Sequence, residues 1–261
     1  PLVPSMTPEQ FVLYSEIEDH HWWFVARREI LRTVIRCIQP PNRQATVIDV
    51  GCGTGGNIAS LAGEYRCIGV DTTEDAIRLA RSRFPNVTFV LGEFPNAVAG
   101  ELPSVSVLMC TDVIEHVEDD RGFVRRLVSA IRPNAHLLLT VPADMSLWSQ
   151  HDVTNDHFRR YDKASFEGVW AGLPVESRVV TYFNSRLYPL VKAARAYSRW
   201  RDGSYGKAGT DFRIPPAPLN RLVRGVFAGE RRRIARSIDR EGAPGYQRGV
   251  SLLALLRRLG D

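Results

Sequence analysis

Short apolar runs alternate along the chain with longer stretches in which apolar residues recur at helical spacing. In one such stretch Ala76, Ile77, Leu79 and Ala80 form an apolar stripe, and another repeats the pattern from Phe123 to Ile131. Strands that alternate with helices in this way are typical of a parallel, doubly wound α/β sheet. The predicted strands are residues 45–51, 66–71, 87–92, 104–111, 135–142, 175–184 and 249–257.

The first apolar run ends in Asp49 and then breaks into a glycine-rich turn, residues 51–56 (GCGTGG). Glycines allow positive φ angles and let a ligand approach the main chain closely. The helix that follows would present free N–H groups and the positive end of its dipole to an anionic ligand group. The second run ends in Asp71, where a carboxylate is placed to accept hydrogen bonds from ribose hydroxyls. These features predict a nucleotide-containing cofactor at the carboxyl edge of the sheet.

Two classes of cofactor fit this turn. Its glycines at 51, 53 and 56 match the G-x-G-x-x-G spacing of dinucleotide sites. The spelling of residues 49–55 (DVGCGTG), however, resembles the D/E-x-G-x-G-x-G signature of class I S-adenosylmethionine (SAM) dependent methyltransferases. Segments 112–117 (DVIEHV) and 136–142 (HLLLTVP) also resemble that family, and the likeness extends over residues 20–185 and 249–258. The resemblance implies a Rossmann-like, seven-stranded, doubly wound sheet with an antiparallel final strand.

The same resemblance implies which residues meet the cofactor. Glu93 stands where the family places an acid against the adenine amino group, and Arg27 is expected to pair with the SAM carboxylate. The expected cofactor-binding residues are Asp49, Gly51, Cys52, Gly53, Asp71, Thr72, Glu93, Phe94, Thr111 and Arg27.

An aromatic segment precedes the first strand. Residues 20–28 (HHWWFVARR) and 157–161 (HFRRY) resemble a type 11-like bacterial subgroup of these enzymes, often encoded near glycan, natural-product and other secondary-metabolite pathways. Aromatic rings suit a lid because a flat face shields the sulfonium and excludes water. We therefore expect Trp22 and Trp23 to contact the substrate, with Tyr161 as a third contact. The alternative is that the Trp pair is simply the buried side of its helix.

Composition favours one cytoplasmic domain with additions. The 261-residue chain is long enough to bury a large core, and no apolar run approaches the roughly 18 residues needed to cross a bilayer. The first residues lack the pattern of an export signal, and the four cysteines stand singly, as expected for reduced thiols. The predicted division is an N-terminal helical cap (1–43), a SAM-binding core (44–182), a basic insertion (183–248) and a final strand (249–261).

The basic insertion contains fifteen Lys and Arg residues against five Asp and Glu, whereas the whole chain has a net charge of only +5. We expect it to be a plain cap over the sheet, a lid for an anionic small-molecule acceptor, or a peripheral surface that meets anionic membrane lipids. Arg231, Arg232, Arg233 and Arg236 suit either charged role. Nucleic acid is a weaker partner because interleaved stacking aromatics are few. No pattern in the sequence indicates an oligomeric state.

Methylation of a hydroxyl requires a base when the acceptor must lose its proton. Imidazole suits that task, and His116 and His157 follow the fourth and fifth strands, whose carboxyl ends face the expected cofactor. We predict O-methylation with His116 as general base and His157 as a second catalytic candidate. N-methylation by proximity alone is the alternative. Alternatives of another class are a NAD(P)-dependent oxidoreductase, which Asp49 disfavours, and a SAM-binding regulatory protein.

A metal site is a further alternative. Asp112-x-x-Glu115-His116, followed by His157, resembles the E-x-x-E-H … H metal site of small-RNA 2′-O-methyltransferases and some ubiquinone-pathway O-methyltransferases. Two carboxylates and two imidazoles suit a divalent ion that activates a hydroxyl. Asp replaces the first Glu of that pattern, and metal-free relatives also have E-H-V here. A metal is therefore not the favoured expectation.

Overall fold

Seven strands and ten α-helices are formed in the part of the chain that the computed structural model describes, residues 8–200, 214–240 and 243–260. The strands are β1 (Thr46–Val50), β2 (Arg66–Asp71), β3 (Thr88–Leu91), β4 (Val105–Thr111), β5 (His136–Pro142), β6 (Val175–Phe183) and β7 (Ser251–Arg258). The helices are α1 (Pro8–Ile17), α2 (Trp22–Ile38), α3 (Gly56–Ala59), α4 (Glu74–Arg83), α5 (Asp120–Ala130), α6 (Gln150–Thr154), α7 (Lys163–Gly168), α8 (Tyr188–Trp200), α9 (Ala217–Ala228) and α10 (Arg231–Asp239). Short 3₁₀ turns span Asn96–Val98, Leu102–Ser104, Ile114–His116 and Met145–Leu147.

The strands lie side by side in one sheet in the order β3-β2-β1-β4-β5-β7-β6. Strands β1 to β5 are parallel, whereas β7 is antiparallel to both of its neighbours. This arrangement confirms the predicted Rossmann-like sheet, and each predicted strand boundary lies within two residues of the observed one. All five residues of β1, including the polar Thr46 and Asp49, are buried because helices cover both faces of a parallel sheet.

Two apolar clusters cover the two faces of the sheet. Successive strand residues point to opposite faces, so Val47 belongs to one cluster and Ile48 to the other. The first cluster includes buried residues of α2, α9 and α10, and Phe227 of α9 is fully buried in it. The second includes α5 and α7. The helices of the basic insertion therefore complete the core on one face of the sheet.

Part of the basic insertion lies outside the described residues, namely 201–213 and 241–242. In the described part, α9 and α10 pack along α2. Glu230, fully buried between α9 and α10, accepts hydrogen bonds from the backbone N–H groups of Ser185 (2.8 Å) and Arg186 (2.7 Å), just after β6. A buried carboxylate thus ties the α9–α10 junction to the segment that directly follows β6. Among the described helices, none is both long enough and apolar enough to cross a bilayer.

Helix α9 also holds the start of α2, where the two tryptophans lie. The Asn220 side chain accepts a hydrogen bond from the backbone N–H of Trp22 (3.0 Å) and donates one to the carbonyl of His20 (2.8 Å). One turn further along α9 and two turns further along α2, Arg224 pairs with Glu29 at 2.7 Å. Segments that are distant in the sequence therefore position the aromatic segment over the sheet edge.

Candidate active site

A cleft of about 400 Å³ opens at the carboxyl ends of β1 and β4. Strand β1 lies between β2 and β4, so the connections after β1 and β4 leave the sheet in opposite directions. In doubly wound sheets ligands bind at such a switch point. The walls of the cleft come from the glycine turn after β1, the α1–α2 junction, the 3₁₀ turn after β4, α6 and α8. Part of the N-terminal cap and part of the insertion therefore enclose the predicted cofactor edge.

The glycine turn has the conformation that only glycine adopts without strain. The φ angles of Gly51, Gly53 and Gly55 are +72°, +52° and +84°. A Cβ atom at Gly51 would lie 2.5 Å from Cγ2 of Val113, whereas a Cβ atom at Gly53 would meet no atom within 4 Å. Gly53 lines the cleft, so the space beside it is open to a ligand. This cradle fits the cofactor that the sequence predicts.

The carboxylate of Asp71 supports the turn from the neighbouring strand. Its Oδ2 accepts a hydrogen bond from the backbone N–H of Gly53, and its Oδ1 accepts one from Thr73, both at 2.9 Å. Each oxygen retains a lone pair for another donor. Asp71 therefore both shapes the glycine turn and presents a charged acceptor beside it.

Asp49 is a buried carboxyl group without a protein partner. It is fully buried, and neither of its oxygens has a hydrogen-bond partner among the described residues. Burial, opposed by the charge of Arg27, raises the pKa of Asp49 to about 7. An unpaired buried carboxylate costs free energy until a donor or cation satisfies it. SAM carries an ammonium and a sulfonium, so this orphaned acceptor fits the predicted cofactor.

The remaining predicted cofactor residues fall into two groups. Cys52 and Thr111 line the cleft, where the Thr111 hydroxyl accepts a hydrogen bond from Asn57 Nδ2 at 3.1 Å. Thr72, Glu93 and Phe94 do not line the cleft. They follow the ends of β2 and β3, with Glu93 exposed and Phe94 packed against the apolar cluster. The adenine contact of Glu93 stays a prediction.

Arg27 lines the cleft and is paired with Asp112. Its Nη2 lies 2.8 Å from Asp112 Oδ2 and 3.1 Å from the Thr140 hydroxyl, which donates to Asp112 Oδ1 at 3.1 Å. The guanidinium also lies 4.9 Å from the centre of the Trp23 ring. Arg27 is 4% exposed, so this network is a buried part of the cleft wall. Its pairing with a SAM carboxylate stays a prediction.

His157 is held by a buried aspartate. Its Nδ1 lies 2.9 Å from Oδ1 of Asp152, which also accepts a hydrogen bond from Arg160 Nε at 2.7 Å. Burial alone would raise the pKa of Asp152, but the hydrogen bond from His157 and the charge of Arg160 hold it well below its ordinary range. An ionised Asp152 requires a proton on His157 Nδ1. The other ring nitrogen, Nε2, is then the one that accepts protons.

His116 lies beside His157 in a different environment. The two rings meet edge to face, with centres 4.6 Å apart. Burial, reinforced by the neighbouring His157, lowers the pKa of His116 to about 3. Its Nδ1 has no hydrogen-bond partner among the described residues. His116 therefore remains neutral, and no carboxylate in the described part of the chain forms a hydrogen bond with its ring, although an oxygen of the buried Glu115 lies within 4.8 Å of one of its nitrogens.

Three of the four residues predicted as metal ligands come together. Ligand atoms of Glu115, His116 and His157 lie within 4.8 Å of one another. Glu115 is fully buried, and burial together with the charge of Asp112 raises its pKa well above the ordinary range. Its oxygens have no partner among the described residues. Asp112, the fourth predicted ligand, lies outside this group, and Arg27 and Thr140 engage its carboxylate.

Of the three residues predicted to contact the acceptor, two line the cleft and one lies in the core. Trp22 and Trp23 are half-buried and line the cleft. Trp22 also packs edge to face on Phe227, with ring centres 6.0 Å apart, so the pair serves packing as well. Tyr161 is 2% exposed and donates a hydrogen bond to Asp120 at 2.8 Å. It lies in the core, apart from the residues that line the cleft, and the prediction of a direct acceptor contact there is not supported.

Sequence reasoning missed two residues of this site. Asp152 was identifiable as the third helical residue of a capping box that begins at Ser149, which is the observed arrangement. Glu18 lies before α2 and accepts a hydrogen bond from the Thr54 hydroxyl at 2.9 Å, while Arg83 of α4 pairs with it. No local pattern distinguishes Glu18 from other acids of the segment.

Known proteins resemble the chain in both sequence and fold. A family model described as a methyltransferase domain matches residues 22–186. A probable S-adenosylmethionine-dependent methyltransferase of Mycobacterium tuberculosis is 33% identical over 147 residues, which cover 54% of this chain and 50% of the relative. A ubiquinone biosynthesis O-methyltransferase of Cupriavidus pinatubonensis is 29% identical over 154 residues, which cover 54% and 61%. The chain thus spans about half the length of the curated relatives it matches.

The fold comparison extends over nearly the whole chain. The solved complex between the Haloferax volcanii Trm112 methyltransferase activator and a putative methyltransferase contains a chain that superposes with a TM-score of 0.58 at 14% identity. The match covers 97% of this chain and 96% of that one. At this identity the likeness concerns the fold alone.

Proposed function

This chain belongs to the class I SAM-dependent methyltransferases, and we propose that it methylates an oxygen of a small-molecule or lipid- or sugar-linked acceptor with His157 as general base. The observation that carries the proposal is the hydrogen bond between His157 and the buried Asp152 in the wall of the cleft. The name of the Cupriavidus relative, a ubiquinone biosynthesis O-methyltransferase, supports oxygen as the acceptor atom. Family membership leaves no role for the nicotinamide alternative.

The chain's own residues hold the cofactor in this proposal. When bound, SAM supplies a methyl group on a positively charged sulfur. Asp49 pairs with a positive group of the cofactor, since its buried carboxyl group has no partner among the residues that the structure describes. Asp71 offers its remaining lone pairs to the ribose, and the open space at Gly53 admits the ligand next to the main chain.

His157 takes the acceptor proton on Nε2. Asp152 accepts the hydrogen bond from Nδ1, fixes the tautomer and stabilises the imidazolium that forms. His116 is the weaker base, because burial keeps it neutral and none of the described carboxylates holds its ring through a hydrogen bond as Asp152 holds His157. His157, which the sequence suggested only as the second candidate, is therefore the general base that we propose.

Trp22 and Trp23 complete the proposed site. Both line the cleft beside Arg27, and their rings exclude water from the acceptor side. Three cations lie along this wall: Arg27, Arg160 and Arg195. They suit an acceptor with an anionic group that competes with the neighbouring carboxylates for these guanidinium groups. This supports the anionic small-molecule acceptor that the basic composition predicts.

A metal-assisted O-methylation is the second candidate. It rests on the Glu115, His116 and His157 group, whose unpartnered carboxyl oxygens and imidazole are the donors that a divalent ion takes. These residues would hold the ion, and a bound ion would lower the pKa of an acceptor hydroxyl. N-methylation by proximity is a third candidate and requires neither base nor metal.

Transfer of a labelled methyl group tests the proposal. The protein is incubated with methyl-labelled SAM and matched acceptor pairs that carry a hydroxyl or an amine on the same ring. We expect label on the hydroxyl compounds and loss of that transfer in His157→Gln, with SAM binding retained in calorimetry. Equal transfer to amines by the wild type and His157→Gln would favour N-methylation by proximity.

A further inference from the structure

A second concavity, of about 1170 Å³, lies on the outer side of α9 and α10 and shares no lining residue with the active-site cleft. Seven arginines line it, one after β6, two on α9 and four on α10, whereas Glu29 is the single carboxylate among the described lining residues. We define the arginine concavity by Arg221, Arg224, Arg231–Arg233 and Arg236. So many like charges in one hollow create a strong positive potential that attracts anions.

Protein groups compensate only part of this charge. Glu29 pairs with Arg224 at 2.7 Å and with Arg231 at 3.5 Å. Arg233 donates to two backbone carbonyls and stacks on Tyr246, 4.6 Å from the ring centre. By contrast, the side chains of Arg221, Arg232 and Arg236 have no hydrogen bond or ion pair with any residue in the described ranges, and all three are exposed. The planar guanidinium groups of these three arginines remain available to donate hydrogen bonds to phosphate oxygens.

Exposed leucines lie on α9, the same helix as Arg221, whereas Arg232 and Arg236 belong to α10. Leu219 and Leu222 of α9 are 48% and 63% exposed, three residues apart and therefore neighbours on the helix surface. Arg221 lies between them in sequence, and Phe227 is buried on the inner side of the helix. Exposed leucine and arginine side chains on one helix are typical of helices that lie in a membrane interface.

We propose that α9 and α10 form a docking surface for an anionic bilayer, with lipid phosphates in the arginine concavity and Leu219 and Leu222 in the headgroup region. The positive charge of the arginine concavity is complementary to phosphate. The two exposed leucines favour a membrane over a soluble ligand, because a soluble phosphate compound would not bury them. The surface is separate from the methyl-transfer site, so its occupancy does not depend on the proposed acceptor.

Helix α9 connects this surface to the active site. Asn220, between the two leucines, holds the backbone of His20 and Trp22 through two hydrogen bonds. The helix that meets the membrane is thus the helix that fixes the aromatic segment over the cleft. Docking would bring the active site to the membrane surface without any change in the cleft itself.

Sedimentation with lipid vesicles tests the docking surface. The wild type is mixed with vesicles of equal parts phosphatidylglycerol and phosphatidylcholine, or of phosphatidylcholine alone, at low and physiological salt. We expect binding to the anionic vesicles only, weakened by salt. In Arg232→Ala/Arg236→Ala the affinity should fall about fivefold for each arginine removed. Leu222→Ser should weaken binding at both salt concentrations.

The matched control is Arg43→Ala/Arg125→Ala, which removes the same charge from exposed sites outside α9 and α10. SAM affinity in calorimetry should be unchanged in every variant, which shows that the fold and the active site are intact. Equal losses in the control and the concavity variant would overturn the proposal, as would an absence of vesicle binding at low salt. Stabilisation by inorganic pyrophosphate without vesicle binding would overturn it too, in favour of a soluble ligand.

Discussion

The Nδ1 atom of His157 lies 2.9 Å from Oδ1 of Asp152, a carboxylate with no exposed surface. The same oxygen accepts a hydrogen bond from Arg160, and the other accepts one from the backbone N–H of Ser149 at 2.9 Å. The aspartate is therefore fixed from three sides, and it fixes the tautomer of the histidine in turn. This separates His157 from His116, whose ring lies next to it but has no hydrogen bond to a carboxylate in the described part of the chain.

Asp152→Asn should lower kcat by roughly 10²–10⁴-fold, because the amide no longer selects the tautomer with a free Nε2 or stabilises the imidazolium. SAM affinity should be unchanged. The control is Asp120→Asn, which alters a carboxylate that binds Tyr161 rather than a histidine. Single-turnover methyl transfer and the Tm of each variant are measured together. Wild-type kcat in a folded Asp152→Asn variant would exclude His157 as the base.

Asp71→Ala should weaken SAM binding by roughly 1–3 kcal/mol, because the ribose donors lose a charged acceptor and the Gly53 N–H loses its partner. Gly53→Val should abolish binding, since the side chain would occupy open space that the ligand needs and would strain a residue at φ +52°. Gly63→Val is the control, at a glycine with equally open surroundings and no positive φ. Calorimetry measures all three affinities, and unchanged values for the first two would refute the site.

SAM affinity should rise with pH through about pH 7. The carboxyl group of Asp49 has its pKa raised to about 7, so below that pH it is neutral and attracts no cation. Above it the carboxylate pairs with the cofactor, and binding near pH 7 should release a proton. Asp49→Asn should bind SAM weakly and without this pH dependence. Calorimetry in buffers of different ionisation enthalpy measures the number of protons released on binding. A SAM affinity of the wild type that does not change with pH would contradict the pairing.

EDTA should leave methyl transfer intact. Asp112 is paired with Arg27, which leaves three donors for an ion, and His157 is already oriented by Asp152. Activity is compared before and after chelation and after addition of Mg²⁺, Mn²⁺ or Zn²⁺. Glu115→Gln then distinguishes the two schemes, because it removes a ligand but leaves the base and its aspartate in place. Loss on chelation with recovery on metal addition would establish the metal-assisted scheme instead.

Local patterns were sufficient for the architecture. The strand positions follow from runs of apolar residues whose burial is independent of their exact partners, as the fully buried β1 illustrates. The glycine turn was predictable because positive φ angles at Gly51 and Gly53 are a property of the backbone there. The acids near the ends of β1 and β2 were predictable at one edge of the sheet because parallel strands place their carboxyl ends there, although Asp49 pairs in register with Gly69 rather than with Asp71.

The roles of the polar residues were not predictable in this way. The sequence presents Asp112, Glu115, His116 and His157 as one plausible ligand set, but Arg27 of α2 reaches Asp112 and removes it from that set. The sequence likewise favours His116 over His157 as general base, whereas the contact between Asp152 and His157 favours His157. In both cases a partner from another element decided the role.

The sequence by itself determined the fold, the cofactor class and the basic character of the insertion, because these depend on hydrophobic periodicity, glycine content and total charge. Only the tertiary structure decided which charges are paired. Packing of α9 and α10 against α2 satisfied Arg224 with Glu29 and left Arg232 and Arg236 without a partner in the described part of the chain. The physical reason is that pairing energy depends on distances of a few ångströms between side chains, which only the folded chain defines.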